Sequence, residues 1–265
     1  MLIDVHAHFF QPAGNRADWS ERNASRLRAG EQIGITRHVA SILGTWGRRS
    51  PTYFPSPADV SSGNSALLEM IRLDPERISG YACVNPNYTA HALAEIERCV
   101  AAGMIGIKLA ASRRANESLL DPIGDIAARL GVPVLHHIWQ HRQREWPGQE
   151  ASDGAELAEL ARRHPTVPFI LAHISGGGDW QHTLHAVAGV DNIFVDLSGS
   201  GVDRGMLETC LAAVGSGRLV WGCDITMCTG WAKLRHLEQL LTLDELDQIR
   251  WRNAVSIFPA GSFAT

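Results

Sequence analysis

Short apolar, β-branched runs alternate with amphipathic segments along the whole chain. The runs end near His6, Leu43, Val84, Leu109, His137, His173, Leu197 and Asp224, on average about 31 residues apart, which is the size of one strand–helix–strand unit. Connections of that length suit parallel crossovers rather than hairpins. The runs from Gly131 to His137 and from Pro168 to His173 are almost continuously apolar before their histidines, as strands covered on both faces must be. Leu93, Ile96 and Val100 share one face of a predicted helix that stops at Gly103. Asp121-Pro122 predicts a cap and a first-turn proline ahead of Ile123, Ile126, Ala127 and Leu130. Thr242 and Glu245 have capping-box spacing. Eight such units predict an α/β fold, a (β/α)8 TIM barrel. The stretches 9–19 and 48–63 are expected as long loops after strands 1 and 2, within one domain over residues 1–265.

Composition narrows the function classes. With 24 basic and 28 acidic residues the formal charge is −4, which lacks the cationic surplus that phosphate-backbone binding demands, so nucleic acid is not an expected partner. No run of about 18 apolar residues suggests a membrane span. The start, Met1 to His6, has the pattern of a core strand rather than a signal peptide, so a cytoplasmic location is expected. Five cysteines, odd in number and without a C-x-x-C pair, predict buried reduced thiols rather than a disulfide framework or zinc knuckle. Histidine is what changes the picture. There are 12, and their places matter more than their number.

Asp4-Val5-His6-Ala7-His8 sets two imidazoles two residues apart at the end of the first strand, where alternation points both to one side. That spacing suits a divalent metal. His137, His173 and Asp224 end strands 5, 6 and 8, in the C-terminal layer where barrel enzymes carry their chemistry. Asp224 follows the apolar Leu219-Val220-Trp221, and a carboxylate there needs a cation or hydrogen bonds to be tolerated. His136 and His137 point to opposite faces of a strand. His137 is expected inward, and His136 outward or behind the site.

These residues together resemble the amidohydrolase superfamily: Asp4-Val-His-Ala-His8, Gly106-Ile-Lys108, Pro133-Val-Leu-His-His137, Ile170-Leu-Ala-His173 and Trp221-Gly-Cys-Asp224. More narrowly, the chain is similar to the branch that includes aminocarboxymuconate-semialdehyde decarboxylase and dicarboxylate lactone hydrolases, over residues 2 to 258. The ending Arg252-Asn253-Ala254, with Ile257-Phe258, also fits that branch. The resemblance implies His6, His8, His137 and Asp224 as metal ligands and His173 as the catalytic imidazole, with Asp224 also taking a proton from water. It implies one divalent ion, Zn²⁺ first and Mn²⁺ as the alternative. A second metal is the lesser expectation, for which Lys108 at the end of strand 4 is the candidate bridge, or else a substrate contact. A glutamate near strand 4 would indicate deoxyribonuclease-like members, and Lys108 stands in its place. A homodimer is a family-level expectation.

The chemistry expected first is hydrolysis of a small lactone, amide or ester by metal-activated water. Decarboxylation of a small unsaturated or aromatic acid is the alternative, and a ligand-binding barrel without turnover is a third class. Substrate contacts are expected from loops at the same barrel end. Trp46, Arg48, Arg49 and Tyr53 follow strand 2, Arg113 and Arg114 follow strand 4, and Trp139 and His141 follow strand 5. An arginine would hold a substrate carboxylate, and a tryptophan would wall an unsaturated group. Gly176-Gly177-Gly178 is expected only to give loop flexibility.

Overall fold

The structure, a computed structural model, describes residues 1–140, 148–176, 178–201 and 203–263. Eight strands, β1 (Ile3–His8), β2 (Arg37–Ser41), β3 (Ile78–Val84), β4 (Gly106–Leu109), β5 (Val134–His136), β6 (Phe169–Leu171), β7 (Ile193–Asp196) and β8 (Leu219–Val220), pair in sequence order. Every pairing is parallel. Helices α1 (Trp19–Ile33), α2 (Pro57–Leu73), α3 (Thr89–Ala101), α4 (Asp121–Leu130), α5 (Gly154–Arg163), α6 (Trp180–Val187), α7 (Met206–Val214) and α8 (Met227–Leu240) follow the strands in turn. The sheet closes on itself where Val5 N–H donates to Trp221 C=O (3.1 Å) and Asp224 N–H donates to His6 C=O (2.7 Å). This is the (β/α)8 TIM barrel.

Two apolar layers follow from strand alternation. Ile3, Val5, Val39, Tyr81, Leu135, Ile170 and Val220 fill the interior. Three C-terminal segments, α9 (Leu243–Asp247), a π-helical turn over Gln248–Arg252 and α10 (Asn253–Ile257), follow α8. Ile257 and Phe258 join the interior cluster, and Asn253 Nδ2 donates to Leu219 C=O at the start of β8 (2.7 Å). That end of the barrel is thereby plugged. Leu2, Ala7, Ile42, Ile107 and Leu109 belong to the outer layer under the helices.

One irregularity determines the site. The register of β1 on β2 slips by one residue between Asp4 and Ala7, as a β-bulge does. Val5 therefore remains inside while Ala7 lies outside, and His6 and His8 are the side chains turned inward. Simple alternation from Ile3 would have sent both histidines out.

Asp4, on the outward side before the slip, is fully buried. Its Oδ2 accepts from Arg26 Nη2 of α1 (2.8 Å) and lies 3.0 Å from His38 Nδ1, while its Oδ1 accepts from Cys223 N–H (2.9 Å). Arg26 also donates to Asp224 C=O (2.6 Å).

Two local expectations change. Residues 48–63 are loop only as far as Ser56, whose hydroxyl accepts from Asp59 N–H while Pro57 takes the first turn of α2. Gly63 lies inside that helix because a Cβ there would come within 3.2 Å of Ile42 C=O. Asp121 opens α4 without capping it, because its carboxylate is drawn to Arg163 Nε (2.7 Å). The Thr242–Glu245 capping box forms as expected. Among the described residues no helix is long and apolar enough to cross a membrane.

Burial raises the Asp4 pKa, but Arg26 and His38 outweigh it and hold the group down to about 2. A depressed carboxylate contributes stability above its unfolded pKa of 3.8 that is lost as pH falls toward 2. Asp4→Asn should therefore destabilise the fold by about 3–5 kcal/mol at pH 7, because it leaves a buried guanidinium unpaired. Denaturant unfolding at pH 7 and pH 3 checks this, and the penalty should shrink at the lower pH.

Candidate metal centre

His6, His8 and Asp224 each direct one ligand atom to a common point, the three atoms lying within 4.8 Å of one another. His8 Nε2 is 3.2 Å and His6 Nε2 3.8 Å from Asp224 Oδ1. The opposite nitrogens are anchored, His6 Nδ1 on Asp196 Oδ2 (2.7 Å) and His8 Nδ1 beside Ser41 Oγ (3.1 Å). Asp224 lies four residues beyond β8 with a left-handed backbone, φ +59°. Its N–H bond to His6 C=O and the Arg26 bond to its own carbonyl hold it there.

The electrostatics suit a cation. Burial, then Lys108, lowers the His6 pKa well below its ordinary value, and burial lowers that of His8. Both imidazoles are therefore neutral and offer lone pairs. Burial raises the Asp224 pKa and hydrogen bonding from the facing His8 ring lowers it, and at about a quarter exposed the carboxyl stays ionised. Two neutral imidazoles and one carboxylate, with second nitrogens already occupied, form a donor set that fits a divalent ion.

His137 and His173 stand beside this cluster rather than within it. His173 Nε2 is 3.0 Å from His137 Nδ1, and the His173 ring stacks at 5.7 Å from that of His6. His137 Nε2 and His173 Nδ1 are buried and have no hydrogen-bond partner among the described residues. His173, two residues past β6, has φ +41°. Lys108 is fully buried with Nζ 3.1 Å from His6 Nε2, and burial pulls its pKa down to about 8. His136 is buried with Nδ1 2.9 Å from His137 C=O, and burial lowers its pKa to about 4.

The loop residues divide. Trp46 packs edge-on to His8 with ring centroids 5.5 Å apart, its indole N–H donating to Phe9 C=O (3.1 Å). Tyr53 lies 5.5 Å from His137. Arg49 is exposed, and Arg48 is exposed with a contact to Gly14 C=O. Arg113 pairs with Glu117 in its own loop, and Arg114 with Glu150 in the loop after β5. Trp139 is half-buried, its N–H donating to Ser152 C=O (2.7 Å). His141 and Gly177 lie outside the described residues.

Sequence reasoning missed Asp196 and the arginines of α1 and its preceding loop. Asp196 carries the signal that marked Asp224, a carboxylate at the end of an apolar run, Ile193-Phe-Val-Asp196. The arginines gave no pattern. Arg16, Arg22 and Arg26 line a cavity of about 250 Å³ with His8, Ile225 and Met227. Asp18 aligns two of them, accepting from Arg16 Nε (3.0 Å) and Arg22 Nε (3.0 Å).

Several solved structures share the architecture. The 5-carboxyvanillate decarboxylase of Sphingomonas paucimobilis is 14% identical with a TM-score of 0.72, over 97% of this chain and 98% of that one. A dihydroxybenzoic acid decarboxylase from Polaromonas, solved with manganese and the inhibitor 2-nitroresorcinol, is 16% identical with a TM-score of 0.72, over 100% and 99%. A proposed 2-pyrone-4,6-dicarboxylic acid hydrolase from Pseudomonas putida is 16% identical with a TM-score of 0.63, over 97% and 96%. At these identities the likeness is one of fold. No curated protein matches the sequence. The amidohydrolase family model matches residues 3–260, a span that holds both barrel ends and every residue of the cluster, and the chain belongs to that family.

Proposed function

We propose that the protein is a metal-dependent hydrolase of a small lactone, amide or ester bearing a carboxylate. The observation that carries this reading is the convergence of His6, His8 and Asp224 beside His173. These three would hold the ion, with His137 as the fourth ligand through its partnerless Nε2. A divalent ion so held lowers the pKa of water toward about 7 and polarises a carbonyl oxygen.

The protein's own groups supply the rest. Asp224, ionised and about a quarter exposed, can take the proton of the attacking water. Burial keeps His173 neutral, so it can take up the proton that Asp224 removes from water and deliver it to the leaving group. Trp46 walls the His8 side, and the cavity beyond His8 presents Arg16 and Arg22 to a substrate carboxylate. Lys108 adds positive charge on the His6 side.

A second reading, decarboxylation of a planar unsaturated acid, is favoured by the two rings, Trp46 and Tyr53, that flank His8 and His137. Product analysis separates the two. Lactone or ester hydrolysis releases acid titratable in a pH-stat and amide hydrolysis releases an amine, whereas CO₂ evolution without either selects the second reading.

Metal analysis of unchelated protein should find close to one divalent ion per chain, and a chelator should abolish turnover that Zn²⁺ or Mn²⁺ restores. Metal-free protein with full turnover would defeat the proposal. His173→Asn and Asp224→Asn should each lower kcat by about 10²-fold or more with the far-ultraviolet spectrum intact. Undiminished kcat in either variant removes that residue's role.

A further inference from the structure

We infer that Asp196 is a positioning residue that locks His6 and His173 to one another through a single carboxylate oxygen. The inference rests on the metal-centre reading above.

Asp196 ends β7 and is fully buried. Its Oδ2 takes His6 Nδ1 (2.7 Å), Ser198 Oγ (2.5 Å) and the His173 backbone N–H (3.1 Å). Its Oδ1 takes Ser198 N–H (2.9 Å). Both oxygens thus face donors. The fold makes room for this group on the β8 side, where a Cβ on Gly222 would stand 2.6 Å from Asp196 Oδ1 and 3.0 Å from His6 Cβ.

Two consequences follow for the site. A proton held on His6 Nδ1 by Asp196 leaves Nε2 as the lone pair facing Asp224, so the carboxylate sets the tautomer that ligation needs. The N–H bond also fixes His173, whose left-handed backbone is disfavoured for a side chain with a Cβ. The His173 carbonyl is held in turn by Gly176 N–H (2.8 Å) and Gln140 Nε2 (3.2 Å). The stacked separation of the His6 and His173 rings is therefore set from one atom, and a disturbance of Asp196 must reach both rings.

Asp196→Asn tests this, because its amide nitrogen opposes either the histidine donors or Ser198 N–H, and its neutral oxygen accepts more weakly than a carboxylate does. Calorimetric titration of the metal-free protein with Zn²⁺ or Mn²⁺ alone should show a dissociation constant about 10–100-fold higher than wild type. Ser198→Ala keeps both bonds from Asp196 to the histidines but removes the hydroxyl 3.1 Å from His6 Nδ1, and should weaken binding less than Asp196→Asn does. In hydrogen exchange, the His173 amide should lose at least about 10-fold protection in Asp196→Asn. The Ile174 amide, bonded to the Asp196 backbone carbonyl (3.0 Å), should keep its protection. Equal metal affinity in wild type and Asp196→Asn overturns the His6 half, and an unchanged His173 amide overturns the other.

Should Asp196→Asn not fold, ¹⁵N-histidine spectra of the metal-free wild type decide the matter. The inference requires the Nδ1–H tautomer at His6, and Nε2–H would overturn it. A wild type that shows this tautomer and binds no metal would defeat the metal-centre reading while leaving the Asp196 lock standing.

Discussion

The architecture depends on how β1 meets the chain leaving β8. A barrel must close, and here closure uses the same few residues that carry the chemistry. Asp224 N–H bonds to His6 C=O, so the main-chain contact that seals the cylinder also brings two candidate ligands together. Asp4 lies behind that seam, accepting from Cys223 N–H and tied to Arg26, which reaches the Asp224 carbonyl. A buried carboxylate is tolerable only when such donors surround it. The seam thus converts an ion pair under α1 into the placement of a ligand at the mouth.

Charge at the mouth is divided between its floor and its wall. Asp196 and Asp224 are the acidic groups, and the buried lysines Lys108 and Lys233 are the internal basic ones. Burial removes the imidazoles from the count by keeping them neutral. What suits a divalent ion is the donor set itself, two imidazoles and the Asp224 carboxylate converging on one point. Arg16 and Arg22 stand further out, around the cavity beyond His8, and add positive charge there. The arrangement separates a floor that suits a cation from a wall that attracts an anion.

Much of this was legible in the sequence because it depended on local pattern. Apolar runs at regular spacing marked the barrel, and histidines at the run ends marked its mouth. What escaped had other causes. The β1 register slip leaves no sign in Asp4-Val5-His6-Ala7, and it shows only in the pairing with β2. The inward aim of His6 and His8 was thus anticipated without its cause. Asp196 looked like any acid after an apolar strand, since its meaning comes from His6, 190 residues away. Arg26 and Arg22 are ordinary polar positions on α1 until Ile225 and Met227, beyond β8, supply the opposite wall. Asp121 had the right chemistry for a cap, but a tertiary partner, Arg163, drew its side chain away.

Among the described residues, the non-glycine positions with left-handed backbone are Trp46, His173 and Asp224, and all three lie at the mouth. Each such conformation costs about 1–3 kcal/mol where a Cβ is present. Glycine would adopt any of the three more readily, yet would erase the ring or carboxylate that the site uses. Heat tolerance and chemistry therefore pull these positions in opposite directions. Optimising thermal robustness alone would lead toward a better-behaved barrel with an empty mouth, so stabilising this protein and keeping its chemistry are opposed at these three positions.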